Sequence, residues 1–249
     1  MIKKVIIVSI ILKLLFLVVT IYSLDVLVKL LIEYQGSKIT SSKIEVGDVS
    51  VSLPKSMIEI NNIKILNYDQ FKSPYAAEVE RISIELDIWK LFSKLVHIKK
   101  LTIEKPIIAL EFTPRIDNLS FLTRRAEAHA KERKAEIKAN HTEPFKVKVD
   151  VLTISSIIVS ADIKYVDKLS ISVPNIELRN LGGVEGDYAS GIAAYLLEVL
   201  TKRVIEIGAE NYIKQQVLKK ADLEAIRKVL PEKVEKGVSK LLDNIFKAL

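Results

Sequence analysis

Three histidines and a large stock of carboxylates are the side chains that could do chemistry in this 249-residue sequence. His97, His129 and His141 are scattered. None has the H-x-x-x-H spacing, or a carboxylate placed beside it, that a metal site needs. His97, next to Lys99 and Lys100, reads as a surface residue. Glu59, Glu85, Asp87 and Glu111 fall on the polar positions of alternating stretches, where solvation is the ordinary explanation for a carboxylate. There is no cysteine, which removes thiol nucleophiles, thiolate metal sites and disulfides together. No G-x-S-x-G, P-loop or dinucleotide fingerprint is present, and the Leu181-Gly182-Gly183 turn is too short to cradle a phosphate. The residues therefore describe a protein that is not an enzyme and holds neither metal nor cofactor.

Apolar residues in alternation are the stronger signal. Ile44 and Val46, then Val49, Val51 and Leu53, alternate with polar neighbours on either side of Gly47. Ile58 and Ile60, then Ile63 and Ile65, do the same around Asn61-Asn62. The slips in phase at Gly47-Asp48 and Asn61-Asn62 read as turns or bulges. Ile82, Ile84, Leu86 and Ile88 follow. Leu101 and Ile103 come next, and Ile108, Leu110 and Phe112 continue after Pro106. The pattern resumes with Phe145, Val147, Val149, Val151, Ile154, Ile157 and Val159, then Leu169, Ile171, Val173, Ile176 and Leu178. One apolar and one polar face on strand after strand predicts a sheet wetted on one side, most simply an antiparallel one. Such an apolar face needs a partner. Helices can cover it as a plain core, or it can curl into a trough for acyl chains, and the pattern leaves both open. LTIEKPIIALEF at 101–112 also resembles LTISSIIVSADI at 152–163, a weak internal repeat of one strand unit.

The elements around these strands are helical. Val5 to Leu24 is apolar except for Ser9, Lys13, Thr20 and Ser23, and about 20 such residues span a hydrocarbon core of roughly 30 Å. Lys3 and Lys4 before it predict a cytoplasmic N-terminus, with the rest of the chain across the membrane. The length of the run and the absence of an A-x-A-like site argue for an uncleaved anchor over a signal peptide. DVLVKLLIE at 25–33 continues as an amphipathic stub near the membrane surface, ended by Gly36. WKLFSKL at 89–95 reads as a short connecting helix. Leu122 to Asn140 is Ala-rich, highly charged and without an apolar stripe, the pattern of a solvated helix or mobile linker. After Gly182, Gly183 and Gly186, helical spacing returns. Ile192, Leu196, Val199, Leu200, Val204 and Ile207 line one stripe, and after Pro231 Val234, Val238, Leu241, Leu242, Ile245 and Leu249 line another. These stripes can pack on the sheet or lie on a membrane. The net charge of +7 suits anionic lipid head groups, and no basic patch interleaved with aromatics points to nucleic acid.

The chain resembles the AsmA-like proteins of the Gram-negative envelope. The likeness lies in the N-terminal anchor, in IEVGDVSVSLPKSMIEINNIKILNYDQF (44–71), in AAEVERISIELDIWKLFSKLVHIKKLTIEKPIIALEF (76–112) and in DNLSFL (117–122). Asn67, Phe71, Leu101, Ile103, Pro106, Ile108, Asn118 and Leu119 fit the family's phrases. Tyr68 and Gln70 stand where Pro and Gly are usual. The resemblance implies an α+β protein with an N-terminal transmembrane helix, a curled antiparallel β-sheet (the AsmA-like β-groove) and C-terminal helices. The divisions are 1–35 anchor and stub, 36–122 AsmA-like β-region, 123–144 charged helical linker, 145–181 β-rich continuation and 182–249 helical region. It implies an inner-membrane protein, most of it periplasmic, that binds or passes membrane phospholipids for envelope homeostasis. The groove would be lined by Ile58, Ile60, Ile63, Ile65, Ile82, Ile84, Leu86, Ile108, Leu110 and Phe112. About ten strands spaced about 4.8 Å apart give a groove of roughly 50 Å, too short to cross the periplasm without assembling with further copies. The alternative is a membrane-anchored scaffold with a closed core that binds an envelope protein through its helical tail.

Overall fold

A computed structural model describes residues 24–218 apart from 112, 114, 115, 142 and 163–168. Most of the expected anchor, Phe112 and the stripe after Pro231 lie outside the described residues, among which no helix is long and apolar enough to cross a membrane. A helix over 24–40, α1, leads into four strands: β1 (Ile44–Ser52), β2 (Met57–Leu66), β3 (Tyr75–Asp87) and β4 (Leu95–Glu111). A 3₁₀ turn, Ile88–Ser93, joins β3 to β4. Helix α2 (Asn118–Ala139) follows, then β5 (Lys146–Ser155), β6 (Ile157–Asp162), β7 (Leu169–Val173), β8 (Ile176–Leu181) and α3 (Ala189–Leu218).

The sheet is open, curled and mixed, in the order β1-β2-β3-β4-β5-β8, with β6 paired to β4 and β7 to β6. The purely antiparallel expectation fails at β4, which runs parallel to both β5 and β6. Parallel neighbours need a crossover of a dozen or more residues, and α2 supplies it. The stretch expected to be a solvated helix or mobile linker is a helix, and it is a structural connection. It begins at Asn118, is capped by the Asp117 carboxylate on Ser120 N at 2.7 Å, and buries Leu119, Leu122, Ala126 and Ile137. The weak sequence repeat turns out to pair with itself. Leu101, Thr102 and Ile103 lie opposite Leu152, Thr153 and Ile154, and Ile107 and Ile108 lie opposite Ile158 and Val159.

Each phase slip read as a turn or bulge is instead a place where a strand continues and its alternation skips one residue. Val46 and Val49 lie opposite Ile63 and Ile60, which lie opposite Val79 and Ile82, so every strand skips at the same level and the register is kept. Ile103 and Pro106 continue the line on β4, Ile154 and Ile157 on β5 and β6, and Val173 and Ile176 on β7 and β8. Asn62, Lys105 and Ser156 stand on this line in the left-handed region, with φ of 56°, 49° and 56°. The result is a crease across the whole sheet that keeps one face apolar from end to end.

Gly47 is the β1 member of the crease. A Cβ there would lie 2.8 Å from Asn61 O and 2.9 Å from Asn62 Cβ, and the backbone oxygen cannot swing away. Gly47→Val is therefore expected to destabilise the protein by about 1–3 kcal/mol, as overpacking does, read as a lowered urea midpoint of the purified full chain. Gly183→Ala faces open space and carries only the strain of φ +67°.

Candidate functional site

The groove residues expected from sequence, Phe112 aside, come together on one face. Ile58, Ile84, Leu101, Leu152 and Leu178 form one transverse rung, and Ile60, Ile82, Ile103, Ile154 and Ile176 form the next. Beyond the crease, Ile65, Ala77, Ile108, Val159 and Ile171 form another. Leu86 opens a further rung through Ile98 and Val149 to Leu181. The opposite face is wet. It carries exposed pairs such as Lys64–Glu78 and Arg81–Glu104, both at 3.8 Å, which contribute little to stability.

The two halves of the apolar face differ in cover. Over β5 to β8, Leu152, Ile154, Ile157 and Val159 are essentially inaccessible beneath α3, whose Ile192, Leu196, Leu200, Val204 and Ile207 supply the facing stripe. This settles for α3 the choice between sheet and membrane: it packs on β5, β6 and β7 and against α2. Over β1 to β4, Ile58, Ile65, Ile82, Ile84 and Leu86 are only partly buried, as are Val49, Val51 and Val79 beside them. Ile60 and Ile63 are buried among these neighbours and Ile32 of α1. Leu110 and Ile108 belong to the closed core, at 1% and 5% exposure. Among the described residues the sheet is also six strands wide, because β6 prolongs the line of β5 and β7 that of β8. At about 4.8 Å per strand its width is about 24 Å, half the length expected.

Sequence reasoning missed the role of α1. Gly36 does not end it; the helix runs through to residue 40, and a Cβ at Gly36 would stand 2.7 Å from Ile44 Cδ1, so the glycine permits close packing. Asp25, Lys29, Glu33 and Ser37, four residues apart, form a polar stripe along the edge of β1. Val51 N donates to Asp25 at 2.8 Å, Val46 N to Glu33 at 3.0 Å and Ile44 N to Ser37 at 2.9 Å, while Lys29 Nζ donates to Gly47 O at 2.8 Å. A free strand edge is thereby occupied. The signal was in the sequence as a polar stripe beside the apolar one.

Glu111 was also misread. It is buried, 6% exposed, and grips the 67–74 loop: Lys72 N donates at 2.8 Å and Ser73 N at 2.6 Å. Asn67 Nδ2 reaches the same carboxylate at 3.4 Å, and Asn118, wholly buried, accepts from Glu111 N at 2.9 Å and donates to Ala109 O at 2.7 Å. Tyr68, at the position of the usual Pro, donates to Thr40 O at 2.6 Å and meets Phe121 edge to face at 4.6 Å. Burial raises the Tyr68 hydroxyl pKa, against a smaller lowering by Arg125. This clamp locks the loop, α1 and the start of α2 to the end of β4.

His97 is not an isolated surface residue. Its Nε2 lies 2.8 Å from Asp150 Oδ2 and its Nδ1 3.9 Å from Asp87 Oδ2, with Lys148 Nζ 3.4 Å from the other Asp150 oxygen. Cross-strand register brings them together, since Asp87 faces His97 and His97 faces Lys148. Partial desolvation raises the Asp150 pKa, but the hydrogen bonds and charges of His97 and then Lys148 outweigh it and lower it on balance. Among the described residues no group of three or more His, Asp or Glu side chains is placed to hold a metal ion.

Two outcomes follow from these contacts. Glu111→Ala removes the charged acceptor of the Lys72 and Ser73 backbone N–H groups, at about 1.5–3 kcal/mol each. It should lower the urea midpoint and open the 67–74 loop to limited proteolysis. The depressed Asp150 pKa contributes stability that is present above the ordinary carboxylate range and lost as pH falls through the folded-state value. Asp150→Asn should flatten that acid limb in melts recorded across pH, and an unchanged limb would remove Asp150 as its source.

Comparison with known proteins bears on the sheet more than on its cover. A search of curated proteins gave no match. The family match covers residues 2–182, which takes in α1, every strand, α2 and the Asn67–Asn118 clamp and stops before α3. A match over that share of the chain is decisive, and the protein belongs to the AsmA family.

Proposed function

We propose that this protein is a single-pass inner-membrane protein of the bacterial envelope whose sheet holds phospholipid acyl chains on the periplasmic side. One observation carries the reading: the apolar face is continuous across the sheet, yet among the described residues α3 covers only its β5–β8 half. The partly open half spans β1 to β4, three strand spacings or about 14 Å. That is close to the hydrocarbon thickness of one leaflet, about half of a 30 Å core. The space suits the tails of one lipid, so the chain is a loading or holding segment for lipid rather than a complete bridge. Family membership and the 5–24 segment support the envelope and membrane placement.

The closed β5–β8 half favours a second reading, a scaffold whose tail binds an envelope protein. A photoreactive phenylalanine analogue at Ile58 of the full chain in its own membrane separates the two. Phospholipid should crosslink at Ile58 and not at the adjacent Glu59 on the wet face. Ile84→Glu should lower co-purifying phospholipid by more than about tenfold, since desolvating a carboxylate beside acyl chains exceeds the ~1.4 kcal/mol that tenfold represents. Leu110 is no test of this, being core. Equal labelling at positions 58 and 59 with unchanged lipid in the Ile84 variant would leave the scaffold.

A further inference from the structure

The end of the sheet at which α1 begins is crowded with exposed apolar side chains. Trp89 and Phe92, 75% and 86% exposed, protrude from the 3₁₀ turn with rings stacked 6.3 Å apart. Leu53 in the β1–β2 turn, Phe145 before β5 and Val184 after β8 are exposed as well. Contacts place these turns together. Leu86 N donates to Ser56 O at 2.8 Å, tying the β1–β2 turn to the strand end that precedes Trp89. Lys146 N donates to Lys94 O at 3.0 Å, tying the 3₁₀ turn to the start of β5, and Lys146 Nζ lies 3.9 Å from Glu185 in the Val184 loop. Large apolar side chains at the tips of turns contribute nothing to a core, and their clustering at one end marks a contact surface.

The apolar segment reaches the domain at this same end. The Asp25 carboxylate, next in sequence to the last residue of the segment, accepts from Val51 N at 2.8 Å, two residues before Leu53. The first turns of α1 also expose Val26, Leu27 and Leu30. Lys55 in the β1–β2 turn and Lys90 within the aromatic turn are both exposed. Indole beside lysine is the side-chain chemistry of the membrane interface, where an amphipathic ring sits among head groups and a cation meets anionic lipid.

We propose that the 3₁₀ turn is a second membrane contact: Trp89 and Phe92 insert at the interface of the bilayer that the 5–24 segment enters, holding the sheet end-on to the lipid. This rests on the membrane-anchor reading above. It orients the strands away from the membrane and puts the open β1–β4 face within reach of the leaflet.

Trp89 is the sole tryptophan of the sequence, so intrinsic fluorescence reports on this turn alone. The full chain would be reconstituted into phosphatidylcholine–phosphatidylglycerol vesicles and floated on a density gradient. Expected are a blue-shifted emission, quenching by bromine-labelled acyl chains and a several-fold fall in acrylamide quenching. Phe92→Glu should reverse the shift without moving the thermal melt, because neither ring packs in the core. If the chain floats but acrylamide quenches Trp89 as freely as tryptophan in water, the inserted turn is wrong while the anchor stands. If the chain does not float, the anchor reading fails and the turn contact falls with it.

Discussion

A skip of one residue, made at the same level in every strand, is the constraint on which this structure depends. Side chains alternate with a period of two, so a slip confined to a single strand would turn its remaining apolar residues to water. Here Val46–Val49, Ile60–Ile63, Val79–Ile82, Ile103–Pro106, Ile154–Ile157 and Val173–Ile176 all carry the three-residue gap, and cross-strand register sets each gap beside the next. The slips cancel. The sheet bends without losing either its ladder or its apolar face, at the cost of left-handed backbone at Asn62, Lys105 and Ser156.

A creased sheet with one dry face has two liabilities, an edge and an uncovered surface. The edge of β1 is met by α1 through four polar side chains at a spacing of four, which answer backbone groups along the strand. The surface is met unevenly. α3 closes the β5–β8 half into a core, and α2 braces α3 through the buried Thr123–Thr201 hydroxyl pair at 2.9 Å. Over β1 to β4 the rungs remain partly open, and the Glu111–Asn67–Asn118 clamp fixes the far end of that region. The family match takes in the sheet with α1 and α2 and ends before α3. The aromatic turn lies at the opposite end from the clamp, beside the start of α1.

By itself the sequence determined the strands, their dry face and the family, because each is written in local spacing that the backbone obeys directly; it marked two of the crease positions, at Gly47 and Asn62, but as turns or bulges. Ile58, Ile60, Ile63, Ile65, Ile82, Ile84 and Leu86 share a face because a period of two with one skip leaves no other arrangement. Even the repeat at 101–112 and 152–163 was visible, although not that its copies lie side by side. Tertiary structure alone decided the rest. Whether β4 and β5 run parallel depends on where a charged helix docks, and that helix lacked an apolar stripe strong enough to announce it. Glu111 looks like any carboxylate of a wet strand until the 67–74 loop folds over it and presents two backbone N–H groups. Leu110 and Ile84 carry the same alternation, yet one is core and the other half-open, because burial depends on where α3 comes to rest, and no periodicity within a strand encodes the position of a helix that follows it by a hundred residues.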